Sequence, residues 1–307
     1  MFARNCLPMT EQVIKTKMRN RLTVMRNILS DEAIAQLIAE DVPYFDLTTL
    51  GLGIGKQPGE IEFSARHPMV VCATEEAARV LEKCGATVSF QVESSTTLEA
   101  QQLILKATGS AAALHIGWRI ALNLLEYASG IATRTDSLVK AAQQVNPSVG
   151  IVGTRKVFPG TRPLSVKALL AGGAIPHRLG LSESILIFKE HLTYLGGMSG
   201  LLAALPALKQ RFQEHKIAME VETVADAEAI AQAGIDMIQF DKVACSDLKA
   251  VVPSLKNHYP QIKLAVAGGV TLDNVQDYAS TGVDLLVTSF PYFGKPADIG
   301  VKMRNVS

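Results

Sequence analysis

The sequence predicts an α/β protein whose second half forms a parallel α/β barrel. Three observations lead to this fold class. Hydrophobic residues make up 48% of the 307 residues and charged residues 19%, as in globular proteins with a sizeable core. Short β-branched runs alternate with helical stretches after Asn146, which indicates parallel βα units with right-handed crossovers. Polar residues and glycines directly follow the ends of those runs.

The first half of the chain is predicted to hold a mixed α/β unit. Ser30 is a suitable N-cap for a helix over residues 31–40, and Pro43 would end it. Beyond it, the runs IEFSA and MVVCA predict short strands around a helix near residues 75–83.

A long helical stretch follows this unit. Apolar residues recur at helical spacing over residues 111–145, which predicts one long helix or two abutting helices with a pause at Gly130. At the other end of the chain, residues 1–29 carry six Lys and Arg residues against one Glu. We predict an extension outside the fold there, with a targeting sequence as the alternative.

The second half contains six strand-like runs: VGIVG, ILIF, IAMEVE, MIQF, KLAVA and LLVT. Six such strands suit either a barrel or an open doubly wound sheet. The barrel is favoured because charged residues and paired glycines stand at the carboxyl ends of the runs, which is the face where barrel active sites assemble.

Composition excludes several classes of function. The net charge is +1 and the chain has one Trp, so it lacks the basic surplus and aromatic platforms of nucleic-acid binders. Residues 192–208 form the longest uncharged apolar stretch, but glycines and a proline interrupt it and it is shorter than the roughly 20 residues of a membrane span. The four cysteines have no metal-like spacing, which favours a reducing, cytoplasmic location.

Basic residues cluster after the first strand of the predicted barrel. The segments GTRKVFPGTR and PHR hold this cluster, which consists of Arg155, Lys156, Arg162, His177 and Arg178. Guanidinium groups bind carboxylate or phosphate in a bidentate manner and Lys acts as a point charge, so the mixture suits a ligand with several anionic groups. A solvated basic loop is the alternative, against which the flanking prolines and glycines argue.

Two carboxylates and a pair of glycines complete the predicted site. Glu222 and Asp241 stand at the ends of neighbouring strands, where they could hold a divalent cation or sugar hydroxyls, or act as general acid and base. A structural ion pair is the alternative. Gly268 and Gly269, followed by Thr271 as a helix N-cap, predict a turn whose backbone N–H groups can meet a phosphate.

These residues lie in motifs that resemble those of quinolinate phosphoribosyltransferase, the carboxylating nicotinate-nucleotide pyrophosphorylase of NAD biosynthesis. The resemblance covers nearly all of residues 30–303 in family order, through segments that include RIALNLLEYASGIAT, TRKVFPGTR, AGGAIPHRLGLSES and AGGVTLDNVQDYASTGVD. It implies an N-terminal α/β sandwich over residues 30–127, an open seven-stranded α/β barrel over 128–290 and a segment over 291–307 that returns to the first domain. It also implies a homodimer with a shared active site.

The resemblance further implies a role for each site residue. Arg119 would be lent across the dimer, and Arg155, His177 and Arg178 would bind the carboxylates of the substrate. Lys156 would lie between the acid and the sugar phosphate. The remaining implied ligands are Glu222 and Asp241 for the ribose and Mg²⁺ of phosphoribosyl pyrophosphate, and Gly268, Gly269 and Ser289 for its 5-phosphate.

Several positions depart from the family pattern. Phe188 stands where the family has a lysine, and Lys189 would point to the opposite face of the strand. Lys242, Ser289 and Phe293 replace the asparagine, glycine and histidine of the family. With the segments FDK, TSFPYF and KPADI, these changes resemble the ModD branch of the family, pyrophosphorylases associated with molybdenum transport.

Two functions remain open on the sequence. The first is transfer of phosphoribose from phosphoribosyl pyrophosphate to the ring nitrogen of an aromatic acid, with Mg²⁺ as the cofactor. The alternative is a catalytically weak anion-binding protein in molybdate or cofactor homeostasis, to which Phe188 and Phe293 point. Phe188 removes one cation from the acid pocket, so Phe188→Lys is expected to favour quinolinate over a monocarboxylic analogue.

Overall fold

The computed structural model describes residues 28–306, which form two compact units. The first contains residues 28–134, 160–173 and 294–306, and the second contains residues 135–159 and 174–293. Most of the predicted N-terminal extension lies outside the described residues. Leu29, which was assigned to that extension, packs against the core of the first unit, and its carbonyl accepts a hydrogen bond from Arg79 at 2.7 Å.

Ten α-helices and thirteen strands are present among the described residues. The helices are α1 (Asp31–Asp41), α2 (Leu47–Gly51), α3 (Thr74–Lys83), α4 (Ala111–Val145), α5 (Arg162–Ala171), α6 (Lys189–Leu195), α7 (Met198–Arg211), α8 (Val224–Gln232), α9 (Cys245–His258) and α10 (Val275–Ser280). The strands are β1 (Pro58–Ala65), β2 (Met69–Val70), β3 (Thr87–Gln91), β4 (Thr97–Leu98), β5 (Leu103–Ser110), β6 (Gly150–Gly153), β7 (Ile175–Pro176), β8 (Ile185–Ile187), β9 (Ile217–Val221), β10 (Met237–Asp241), β11 (Lys263–Ala267), β12 (Leu285–Thr288) and β13 (Ile299–Asn305).

The first unit is built on a four-stranded antiparallel sheet in the order β13-β1-β5-β3. Its central strand β1 alternates buried and partly exposed residues near its end, and Ile61 and Phe63 are fully buried in the core. The last strand, β13, pairs with β1 and brings the C-terminal segment into this sheet. The predicted cap of the first helix is confirmed, because Ser30 Oγ accepts a hydrogen bond from the N–H of Ala33 at 3.2 Å.

The helix α4 runs without a break from Ala111 to Val145, so Gly130 does not mark a pause. Gly130 serves a close approach instead, since a Cβ atom there would lie 2.9 Å from the carbonyl oxygen of Lys295. One turn earlier, the Glu126 carbonyl accepts a hydrogen bond from the N–H of Ala297 at 2.9 Å. In the part of the chain that the structure describes, no helix is long and apolar enough to cross a membrane.

A buried ion cluster holds α5 in the first unit. Lys167 is 1% exposed, and its Nζ lies 2.7 Å from Glu76 Oε2 and 2.9 Å from Glu75 Oε2. Although burial opposes the charge, the two carboxylates keep the pKa of Lys167 above its ordinary value. Residues 160–173 therefore belong to the first unit, although they lie within the range 128–290 that the sequence analysis assigned to the barrel.

The second unit is a seven-stranded parallel sheet in the order β7-β6-β12-β11-β10-β9-β8, with helices between the strands. All six strand-like runs of the sequence form strands of this sheet. The seventh, β7, has only two residues, which is too short to give a periodic signal. The predicted fold class, an N-terminal α/β domain with an open α/β barrel, is confirmed.

Candidate active site

The carboxyl ends of the parallel strands enclose a cavity of about 570 Å³ in the second unit. The residues that line it come from the segments following six of the seven strands and from five of the strands themselves, β8 to β12. Predicted site residues among them are Arg155, Lys156, His177, Arg178, Asp241, Gly268, Gly269 and Ser289. A cavity at this face of the sheet is the usual place for an active site in such folds.

One wall of the cavity is basic. Arg155 and Lys156 follow β6, and the turn is fixed by a hydrogen bond from the N–H of Lys156 to Thr154 Oγ1 at 3.2 Å. His177 and Arg178 follow β7, where the N–H of His177 donates to the carbonyl of the β6 residue Gly153 at 2.9 Å. The short strand β7 thus brings the two halves of the sequence cluster to one wall.

The basic wall contains the His177 imidazole beside the Arg178 guanidinium. Burial and then the charge of Arg178 lower the pKa of His177 below its ordinary value. Arg178 is itself buried, with 8% of its surface exposed. A buried guanidinium without a carboxylate partner in the described structure suits an anionic ligand.

The carboxylates that line the cavity are Glu220 on β9 and Asp241 at the end of β10. Glu220 lies directly opposite Gln239 in the parallel pairing, and Gln239 Nε2 donates a hydrogen bond to Glu220 Oε2 at 2.6 Å. Burial raises the pKa of Glu220, and the nearby Asp241 carboxylate adds to that rise.

Glu222, which the sequence paired with Asp241, does not line this cavity. Strand β9 ends at Val221, so Glu222 falls in the bend after the strand and is exposed. Its Oε1 lies 2.6 Å from Lys189 Nζ, and this hydrogen bond lowers the pKa of Glu222. Glu222 thus forms the ion pair that the sequence offered as the structural alternative, with Lys189 as its partner.

The paired glycines form a turn at the cavity rim. Gly268 and Gly269 have φ values of +86° and +82°, and a Cβ atom on Gly268 would lie 2.5 Å from Asp241 Oδ1. The side chain of Asn274 holds the turn, because its Oδ1 accepts from the N–H of Thr271 at 2.8 Å and its Nδ2 donates to the carbonyl of Gly269 at 2.9 Å. Thr271 is therefore not the N-cap of α10, a position that Asn274 occupies.

Aromatic side chains form the remaining wall. Phe188 follows β8, its ring stacks on His191 at 5.8 Å between centroids, and the Arg178 guanidinium lies 5.7 Å from its centroid. Phe293 also lines the cavity, beyond Ser289. Lys189 lies beyond the end of β8, as the first residue of α6, and its side chain contacts Glu222 and does not line the cavity.

Two predicted basic residues belong to the first unit. Arg119 lies on α4 with its guanidinium 4.0 Å from the Trp118 ring centroid, and lines a separate cavity with Phe45 and Asp46. Arg162 is the first residue of α5 and does not line the cavity of the second unit among the described residues.

Comparisons with known proteins decide the family. The model for the N-terminal domain of quinolinate phosphoribosyl transferase matches residues 46–129, and the model for its C-terminal domain matches residues 131–302. The chain belongs to the quinolinate phosphoribosyl transferase family. It is therefore a phosphoribosyltransferase, of the pentosyltransferase class, and the alternative of a weak anion-binding protein is not favoured.

Similar proteins include members of the ModD branch. The ModD protein of Rhodobacter capsulatus, named as a candidate pyrophosphorylase, is 41% identical over 80% of this chain and 95% of its own length. The ModD protein of Escherichia coli O157:H7 is 36% identical over 90% of this chain and 97% of its own. The nicotinate-nucleotide pyrophosphorylase structure from Francisella tularensis has a TM-score of 0.82 over 91% of this chain and 97% of its own, at 22% identity, and supports the fold alone.

Sequence reasoning missed three residues that line this cavity or hold its glycine turn. Gln239 and Asp241 are two positions apart on β10 and both line the cavity, so strand parity alone could have indicated Gln239. Glu220 could be identified only from the register in which β9 pairs with β10. The role of Asn274 could be identified only from the geometry of the turn, although its position five residues after Gly269 can be seen in the sequence.

Proposed function

We propose that the protein transfers the phosphoribosyl group of phosphoribosyl pyrophosphate to the ring nitrogen of an aromatic acid and releases pyrophosphate. The proposal is carried by one cavity that combines the basic wall, two carboxylates and the glycine turn. In the reaction, the bond between the ribose C1 carbon and pyrophosphate oxygen breaks, and the nitrogen lone pair forms the new bond to C1. Positive charge develops on C1 while negative charge develops on the leaving group.

The walls of the cavity suit the two ends of this reaction. Arg155 and Arg178 would bind the carboxylate of the acid, and Lys156, exposed at the rim, would meet the phosphates. Glu220 and Asp241 would face the ribose and stabilise the developing positive charge. The backbone of Gly268 and Gly269 would take the 5-phosphate, next to Ser289.

We propose Mg²⁺ as the cofactor, held by Asp241 together with Glu220 and the phosphates of the substrate. No group of three His, Cys, Asp or Glu side chains in the described part of the chain could hold a metal ion alone. Two carboxylates fit Mg²⁺ nevertheless, because this ion is usually bound through one or two carboxylates plus substrate phosphates. When bound, it would neutralise charge on the departing pyrophosphate. Glu222 is not a ligand in this proposal, since Lys189 occupies its carboxylate.

We further propose a homodimer in which Arg119 of one subunit completes the cavity of its partner. A run of exposed apolar side chains supports it: Tyr44, Phe45, Leu47, Leu50 and Leu52 are each at least 60% exposed. Such a patch on the surface of a protein marks an interaction site. Mixing Arg119→Ala with Arg155→Ala subunits is expected to restore activity, because one site per heterodimer regains both arginines. Persistent inactivity after proven subunit exchange would contradict a shared site.

The phosphoribosyl transfer itself is tested by incubating the pure protein with Mg²⁺, phosphoribosyl pyrophosphate and a panel of pyridine carboxylates, with release of pyrophosphate as the measurement. Turnover of at least one acid is expected. A donor that binds in calorimetry without turnover of any acid, together with molybdate binding, would overturn the proposal and support a role in molybdate homeostasis.

The free thiols of Cys72, Cys84 and Cys245 support a cytoplasmic location as part of the same proposal.

A further inference from the structure

We propose that Lys242 is a further binding residue of the site, and that its ammonium group contacts the pyrophosphate end of the donor. This inference rests on the phosphoribosyl transfer proposed above and deepens it, because it gives the leaving group a place in the cavity. Lys242 lines the cavity and directly follows Asp241, the last residue of β10 and the proposed ligand of Mg²⁺.

The backbone of Lys242 has a conformation that lysine rarely adopts. Its φ is +56°, in the left-handed region, which is unfavourable for a residue with a Cβ atom. A hydrogen bond to the neighbouring strand holds it there, because the N–H of Lys242 donates to the carbonyl of Ala267 on β11 at 2.9 Å. Residues held in such conformations concentrate at functional sites, so the conformation calls for a functional explanation.

The left-handed conformation brings two consecutive side chains into one cavity. Successive residues of an extended strand point to opposite faces, yet Asp241 and Lys242 both line the cavity. The positive φ accounts for this, because it rotates the Cβ atom of Lys242 about the N–Cα bond relative to an extended residue. Gly268 leaves room for the side chain, since a Cβ atom there would lie 2.5 Å from Lys242 Cγ.

The ammonium group of Lys242 is accessible to a ligand. The side chain is 79% exposed, and its Nζ lies 4.0 Å from Asp241 Oδ2, which is a loose ion pair. The nearby Lys189 differs, because its Nζ lies 2.6 Å from Glu222 Oε1. Once Mg²⁺ binds the Asp241 carboxylate, the flexible side chain of Lys242 can turn to a phosphate that the ion also contacts.

The position of Lys242 favours the pyrophosphate over the other anionic groups of the two substrates. The carboxylate of the acid is assigned to the basic wall after β6 and β7, and β12 and β11 separate β6 from β10 in the sheet. The 5-phosphate is assigned to the backbone N–H groups of the glycine turn. The pyrophosphate remains, and it would share the Mg²⁺ that Asp241 holds.

The charge of Lys242 suits the departure of this group. When the bond from C1 to the pyrophosphate oxygen breaks, its electron pair stays on that oxygen, and no proton has to move. The attraction of the ammonium group therefore increases toward the transition state. Lysine and Mg²⁺ act together on phosphates in the same way in phosphoryl-transfer enzymes.

The test measures binding of pyrophosphate and of ribose 5-phosphate by calorimetry at constant Mg²⁺. Lys242→Asn is the main variant, because Asn removes the charge and tolerates the left-handed conformation. It should bind pyrophosphate about tenfold more weakly and ribose 5-phosphate within about twofold of the wild type. Lys242→Arg keeps the charge and should retain most of the pyrophosphate affinity. The thermal unfolding midpoint of Lys242→Asn should stay the same or rise, so the loss of affinity cannot come from unfolding.

Lys216→Asn is the matched control. Its side chain is 80% exposed and its Nζ lies 3.4 Å from Asp236 Oδ1, but Lys216 precedes β9 at the opposite end of the sheet. This variant should bind both anions like the wild type.

Three results would overturn the inference. They are equal pyrophosphate affinity in the wild type and Lys242→Asn, an equal loss of affinity for ribose 5-phosphate, and a loss in Lys242→Arg as large as that in Lys242→Asn. Failure of the wild-type protein to bind pyrophosphate or phosphoribosyl pyrophosphate would overturn the proposed phosphoribosyl transfer as well.

Discussion

The two glutamates at the end of β9 offer a sharp test of the site, because they have the same side chain and lie two residues apart. Glu220 lines the cavity, whereas Glu222 pairs with Lys189 outside it. We therefore expect Glu220→Gln to impair phosphoribosyl transfer strongly and Glu222→Gln to leave it nearly unchanged. Both substitutions conserve size, so each removes a negative charge and one acceptor oxygen.

The structure sets the size of the two effects. Glu220 is half-buried and accepts a hydrogen bond of 2.6 Å from Gln239, and a hydrogen bond to a charged group contributes about 1.5 to 3 kcal/mol. If the same carboxylate stabilises positive charge in the transition state, its loss lowers kcat/KM by about ten- to a hundredfold. Glu222 and Lys189 are 53% and 66% exposed, so solvent screens their attraction. Glu222→Gln should therefore change kcat/KM by about twofold or less.

The assay is pyrophosphate release at saturating Mg²⁺, with the thermal unfolding midpoint as the control for folding. Because burial raises the pKa of Glu220, its ionised form is disfavoured in the folded protein, and the neutral Gln should keep or raise the midpoint. Activity and stability would then move independently. An equal loss of kcat/KM in both variants, or a larger loss in Glu222→Gln, would refute the assignment of Glu220 to the site.

Three further predictions concern a buried lysine, a glycine with positive φ and a half-buried histidine. Lys167→Met leaves two buried carboxylates without their cation and should lower the free energy of unfolding by about 3 to 5 kcal/mol, measured by urea denaturation; a change like that of an exposed lysine would contradict it. Gly268→Ala should reduce kcat/KM more than Gly269→Ala, since both have positive φ but only the former would place a Cβ 2.5 Å from Asp241 Oδ1; equal kinetics would show that Asp241 does not shift. The pKa of His177 is lowered in the folded state, so its contribution to stability is present above pH 6.5 and lost below it; denaturation midpoints at pH 7 and 6 should differ less in His177→Gln than in the wild type.

The parallel sheet and most of its site could be predicted from sequence because their signals are local. A β-branched run predicts a strand, and the residue that follows it lies at the carboxyl end, which located Arg155, Asp241 and Gly268 correctly. Features that depend on residues far apart in the sequence could not be predicted in this way. Gly130 looks like a helix breaker in sequence, and only the position of Lys295 shows that its missing side chain admits another segment of backbone.

The position of Glu222 outside the lining of the cavity shows, in physical terms, what the sequence could not predict. Glu220 and Glu222 have the same parity, so alternation along β9 cannot distinguish them. The strand ends at Val221, and pairing with β10 places Glu220 opposite Gln239 while Glu222 passes into the bend and meets Lys189. Register between two strands depends on the packing of both, and a one-residue difference in where a strand ends decides which carboxylate enters the cavity. The same register brings Gln239 and Glu220 into hydrogen-bond contact at the wall of the cavity.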